Sequence, residues 1–283
     1  MTVAAVDQPR ERDYASIIGN VFVVALAVLA ILFLALPVVW IFVGSFLQTG
    51  NPISAGSMKW TFANYRTIIE NDFLIFIFNS VFICIVAVII CTALAVMVAY
   101  AFSRYRFPLK RMAFASIVLG QLFPWVILVT PLFVMFAKAG LLNSYVGMIF
   151  CYVCVSLPFS VYMLVGYLEA VPRDLDEAAA MDGCSRVQIV LQVVLPLMLP
   201  GIVATATYSF LLMWTEYLFA LAFLTETTMK TMPLGLALFF GQDTVDWGAV
   251  MAASAATTLP ALLLFLPLQS KLVSGVTSGS VKG

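Results

Sequence analysis

Charged residues are so sparse along this chain that the gaps between them outline its elements. A helix crossing a bilayer needs about 20 apolar residues, each adding about 1.5 Å. Stretches of that size occur at Tyr14–Met58, with an apolar core from Ile17 to Leu47, at Phe73–Ser103 and at Met112–Ala137. Three more follow at Ala139–Leu168, at Pro200–Leu224, interrupted only by Glu216, and at Trp247–Ser270. The pattern predicts an all-α membrane protein with six transmembrane helices. An even number of spans puts both termini on one side, and ten of the 14 Lys and Arg residues fall there. Only Lys59, Arg66, Lys138 and Lys230 fall on the other. Basic residues collect on the cytoplasmic side of membrane proteins, so both termini are expected in the cytoplasm. The expected organisation is a tail over 1–16, a six-helix domain over 17–272 containing a polar loop at 169–199, and a tail over 273–283. The first apolar run is too long for a signal-peptide core and is expected to stay as an uncleaved span.

Composition agrees with the pattern. Of 283 residues, 63% are hydrophobic and 10% charged, against about 45–50% apolar and about 25% charged in a soluble domain. Lipid must be one of the solvents. Zero net charge gives no basic field for nucleic acid. The chain has no His, which removes the commonest general base and the commonest metal ligand. Cys151 and Cys154 have the C-x-x-C spacing of redox sites, but they fall mid-span among Phe150, Tyr152 and Val153 with no basic neighbour, so packing is the expected role. Six prolines (Pro37, Pro124, Pro131, Pro158, Pro260 and Pro267) lie within predicted spans, as ordinary kinks or as parts of a moving pathway.

The polar loop is the most informative stretch. Asp174 and Glu177 stand three apart after Pro172, a capping-box spacing for a short helix. Ala178, Ala179 and Ala180 favour helix and leave a face without bulk. Gly183 can take positive φ and stop the helix, and a second helical run is expected over 185–194 before Pro196. The expected object is a small helix–turn–helix with one smooth face, either a knob for another protein's groove or a solvated connection.

The order Glu177-Ala178-Ala179, three residues, Gly183, nine residues, Val193, one residue, Leu195-Pro196 resembles the EAA signature of importer permeases in the ATP-binding-cassette superfamily. Val193 stands where that pattern usually has Ile. Further stretches resemble the carbohydrate-uptake branch, in particular the smaller permease subunit of maltose-type importers: Asn79-Ser80, Ala99–Pro108, Gly140–Tyr145, Trp214–Ala220, Asp246–Gly248 and the closing run Gly275–Gly283. The likeness covers about residues 60–283. It implies the type I importer permease fold in a bacterial or archaeal plasma (inner) membrane. The implied partners are a second related permease in a heterodimer, two cytoplasmic ATPase subunits and an extracellular or periplasmic solute-binding protein, with a sugar as substrate. It also implies that Asp176, Glu177, Ala178, Ala179, Asp182 and Gly183 dock into the ATPase. No G-x-x-x-x-G-K-S/T phosphate loop occurs here, so ATP and Mg are expected on the partner ATPase and no cofactor on this chain.

Glu216 is the one ionisable residue inside a predicted span, and a charge at mid-bilayer costs about 2.5–3.5 kcal/mol on insertion scales. With Trp214 and Tyr217 beside it, the acid could line a sugar path, accepting hydroxyl hydrogen bonds while rings stack on C–H faces. It could equally bind a helix end or a polar group of the partner permease. Gln121, Trp125 and Thr130 on the third span are weaker path candidates. One acid and no intramembrane base favour neutral, hydroxyl-rich solutes. A secondary transporter or channel acting alone would need more intramembrane charges. An intramembrane enzyme would need a nucleophile–base set that is missing.

Overall fold

The computed structural model describes residues 14–48, 59–240 and 245–280, with side chains described over 19–48, 59–240 and 245–267. Arg10, Arg12 and Lys282, used above to orient the chain, lie outside the described residues, as does the side chain of Lys271. The elements are helical throughout: α1 (Tyr14–Ser45), α2 (Ala63–Glu70), α3 (Phe73–Arg104), α4 (Lys110–Gly120), α5 (Trp125–Lys138) and α6 (Tyr145–Glu169). They continue as α7 (Asp174–Met181), α8 (Arg186–Gln188), α9 (Leu195–Trp214), α10 (Leu218–Phe223), α11 (Met232–Ala237) and α12 (Trp247–Ser280).

Five helices among the described residues are long and apolar enough to cross a membrane, and α4 with α5 makes a sixth span if the bent pair counts as one. That pair is the single span expected over Met112–Ala137 with a proline kink or pathway break, and it is bent by 97°. Pro124 at the N-cap of α5 has no N–H to continue the ladder, and the residues before it turn rather than coil. The fifth span differs from expectation. It starts at Arg186 and ends at Trp214, so the run over 185–194 is no separate helix but the first turns of the span. Pro196 fails to stop it because a π-helical segment, Ile189–Val194, directly precedes the ring and widens the turn there. Beyond Trp214 the chain breaks at Thr215–Tyr217 before resuming as α10. Helices α2 and α11, eight and six residues long, sit in connections for which no element was expected.

The bundle centres on α3, α6, α9 and α12, with α3 lying along α6 in the most extensive interface, while α1 packs chiefly along α12 and is otherwise exposed. Gly44 of α1 lies against the end of the Met251 side chain of α12, which fills the space a Cβ would take. Two apolar clusters build the core. The larger gathers Phe73, Phe76, Met148, Phe219 and Phe223, and the smaller gathers Ala95, Leu164, Leu168, Ala179, Ile189 and Val194. Between them Ser156 donates to Ser209 at 2.9 Å and Ser160 lies 3.1 Å from Ser209, which satisfies buried hydroxyls across α6 and α9.

Candidate functional site

The knob forms, with its capping placed differently from expectation. Asp174 is the first helical residue of α7 and no side chain caps it, so the predicted box is not made. Asp174, Asp176 and Glu177 lie instead in the first turn, where the positive end of the helix dipole favours them. The box belongs to the next helix: Ser185 accepts from the Gln188 amide at 3.4 Å and donates its own amide to Gln188 Oε1 at 2.7 Å. Gly183 between them has φ +84°, with nothing within 4 Å of where a Cβ would sit, so the backbone conformation alone calls for glycine.

The six residues singled out at the knob divide between two faces. Asp176 and Ala179, three apart and therefore on one side of α7, turn into the chain. Ala179 is 8% exposed and packs within the smaller core cluster. Glu177, Ala178, Asp182 and Gly183 are exposed. Two apolar residues that the sequence reading missed share the exposed surface: Leu175 at 41% and Met181 at 89% exposure. Met181 follows Ala178 by three positions, and that spacing is the signal that could have found it.

Asp176 is held by α3. Its Oδ2 accepts from Arg104 Nε at 2.9 Å, and its Oδ1 accepts from Arg104 Nη2 at 3.4 Å, with side-chain exposures of 7% and 14% for the pair. Tyr100 donates its hydroxyl to Oδ2 at 3.5 Å. The same guanidinium donates to the carbonyl of Val171 at 3.1 Å, so it also pins the connection between α6 and α7. Arg173 reaches back to the carbonyl of Ser103. Arg186, at the start of the fifth span, sits 5.4 Å from the centre of the Tyr105 ring. The end of α3 thus grips the knob at three points. Removing one member of this largely buried pair leaves the other short of a partner and loosens the mounting of the knob.

The path candidates divide as well. Glu216 sits in the break between α9 and α10, 8% exposed. Its Oε1 accepts from the Phe219 amide at 2.7 Å and its Oε2 from the Ala220 amide at 3.1 Å. Tyr152 of α6 donates to Oε2 at 3.3 Å. The carboxylate therefore satisfies the free N–H groups that open α10. The helix end it binds is in this chain. Trp214 is buried and stacks on Phe210 with ring centres 5.4 Å apart. Tyr217 is 37% exposed. Gln121 stands at the elbow between α4 and α5, and its buried Nε2 has no hydrogen-bond partner among the described residues. Leu122 and Phe123 beside it are 75% and 59% exposed. Among the described residues no group of three Cys, Asp or Glu side chains could hold a metal ion.

On the opposite end of the bundle, loops are braced by asparagines. Asn79 donates to the carbonyls of Thr228 and Lys230, both at 2.9 Å, and Tyr145 donates to Asn79 Oδ1 at 2.7 Å. Asn143 Oδ1 accepts from the amides of Thr225 at 2.7 Å and Glu226 at 3.0 Å.

A family model described as the binding-protein-dependent transport system inner membrane component matches residues 92–277. The diacetylchitobiose uptake system permease protein DasC of Streptomyces coelicolor is 36% identical over 273 residues, covering 95% of this chain and 99% of the relative. The trehalose/maltose transport system permease protein MalG of Thermococcus litoralis is 35% identical over 276 residues, covering 94% and 98%. Among solved structures, a chain of a bacterial ABC transporter involved in the import of the acidic polysaccharide alginate matches with a TM-score of 0.78 at 21% identity, covering 94% of this chain and all of that one.

Proposed function

The chain belongs to the inner membrane components of binding-protein-dependent transport systems, and on that premise we propose that it is one of the two permease subunits of an ATP-driven importer of a neutral di- or oligosaccharide, forming half of the translocation pathway. The relatives named for diacetylchitobiose and for trehalose/maltose support a carbohydrate as cargo. The observation that carries the coupling is the knob itself. Glu177, Ala178, Met181 and Asp182 form an exposed surface on a helix whose other face is locked to the bundle by Asp176 and Ala179. A firmly mounted patch of small residues with one projecting methionine suits insertion into a groove of a separate ATPase. ATP and Mg belong to that ATPase, of which two copies serve the assembled importer, and the knob lies on the cytoplasmic side with both termini. The asparagine-braced loops at the other end offer a firm platform for a solute-binding protein.

The path candidates support a second permease chain. Glu216 and Trp214 are occupied by contacts within this chain, whereas Gln121 Nε2 has no partner among the described residues and Tyr217, Leu122 and Phe123 are exposed. An unpartnered amide beside exposed apolar side chains at the elbow suits contact with a second chain. A related permease is that chain.

The test is uptake by the reconstituted complex of both permeases and the ATPase, loaded with binding protein and a panel of mono- and disaccharides. ATP-dependent uptake is expected, with none from this chain alone in liposomes. Ala178→Arg puts a bulky charge on the exposed face and is expected to abolish ATPase co-purification while membrane insertion is retained. Solute movement by the chain alone, or full ATPase retention in Ala178→Arg, overturns this reading.

A further inference from the structure

We propose that the Arg104–Asp176 ion pair is the joint through which movement of the knob is delivered to the far side of the membrane, with α3 as the rod that carries it. This rests on the docking role of α7 proposed above. The two ends of α3 are fixed by polar contacts to loops, whereas its middle packs on helices with a single thiol–hydroxyl contact, Cys91 to Ser160, among the described residues. At one end Arg104 holds Asp176 at 2.9 Å, and the Ser103 carbonyl takes the Arg173 guanidinium. At the other, Asn79 holds the carbonyls of Thr228 and Lys230 at 2.9 Å each, and Ser80 accepts the amide of Met232 at 2.7 Å. Asn79 and Arg104 are 25 positions apart, which at 1.5 Å per residue is roughly 37 Å. That exceeds the roughly 30 Å of bilayer hydrocarbon. One continuous helix therefore joins the knob to the outer connection.

Two other routes lead from the knob into the bundle, the packing of α7 on Ile189–Val194 at the start of the fifth span and the chain itself. The chain is irregular on both sides. Toward α6 it runs through the irregular segment 170–173 with Pro172, and toward α9 it runs through the turn at Gly183. Apolar contact around Ala179 resists separation but lets surfaces slide, because dispersion has no preferred direction. A guanidinium forked on a carboxylate fixes distance and angle together. Replacing a buried pair by apolar residues often costs no stability, so the pair's contribution here is geometry. Push or pull on α7 reaches α3 through a contact of fixed distance and angle, whereas it reaches the start of the fifth span through apolar packing.

The experiment uses the assembled complex and reads two quantities, ATPase co-purification and sugar taken up per ATP hydrolysed. In Arg104→Gln the ATPase is expected to remain bound while uptake per ATP falls about tenfold, the scale of coupling between distant sites. The reversed pair, Arg104→Asp with Asp176→Arg, is expected to recover most of that loss. A joint that merely folded the loop would lose the ATPase in step with uptake. That outcome overturns the proposal, as does an unchanged ratio in Arg104→Gln or a reversed pair that recovers nothing. Failure of the docking role shows separately, as ATPase retained by Ala178→Arg.

Discussion

Replacing Glu216 by Ala removes three acceptor contacts at once: the Phe219 amide at 2.7 Å, the Ala220 amide at 3.1 Å and the Tyr152 hydroxyl at 3.3 Å. The residue is 8% exposed, so water does not readily replace the carboxylate. Each buried donor left without an acceptor costs about 1–3 kcal/mol, so the two amides alone predict a loss of about 2–6 kcal/mol. Glu216→Gln keeps one acceptor oxygen and is expected to lose about half as much. Tyr152→Phe gives up only the longest of the three bonds, and its cost should be about 1 kcal/mol. The assay is the midpoint of thermal loss of monodisperse complex in detergent, with uptake normalised to the folded fraction. The expected order of destabilisation is Ala above Gln, and Gln above the tyrosine variant, with normalised uptake following stability. Should Glu216→Ala keep the wild-type midpoint yet lose uptake, the carboxylate acts on the solute and the capping account is wrong.

Two further outcomes follow from the geometry. Gly183→Ala forces a side chain into φ +84° without meeting any neighbour, so the cost is backbone strain of about 1–2 kcal/mol, and Gly183→Asn should cost less. Amide exchange across α7 is the measurement, expected to quicken about five- to thirtyfold in the alanine variant, and an unchanged rate would contradict the turn's role. In uptake, a phosphorylated sugar is expected to move more slowly than its neutral parent, because Lys and Arg stand only toward the ends of the spans; equal or faster uptake refutes this.

Charge-free intervals matched the first, second, fourth and sixth spans because lipid imposes one requirement, about 20 apolar residues, that hydropathy measures directly. Hydropathy carries no direction, so the 97° elbow at Gln121–Pro124 and the break at Thr215–Tyr217 were invisible to it. Both breaks had local markers. Pro124 lacks an amide, and Glu216 is a carboxylate with no cation near in sequence, a combination that in lipid calls for backbone donors within reach. Pro196 misled in the other direction: a π-helical turn absorbs it, and only the backbone reveals that turn. Helices α2 and α11 are too short for periodicity to separate from a loop.

The coupling loop shows why a motif and a surface are different things. The spacing of Glu177, Ala178, Ala179 and Gly183 marked the right segment, yet within it one alanine faces out and the next is 8% exposed. A signature is the sum of everything that must be kept, so it merges residues that touch another protein with residues that hold the segment in place. The two sets separate when each polar residue is asked where its partner is. Asp176 has Arg104; Glu177 and Asp182 have no side chain of this chain within an ion-pair distance among the described residues. The stretch Ala99–Pro108, which resembled the same family for no reason visible in sequence, contributes Tyr100, Ser103, Arg104 and Tyr105 to the grip on α7 and the start of the fifth span. Two separated likenesses are therefore two sides of one joint. Substitution on the exposed side should break assembly, and substitution on the buried side should break transmission.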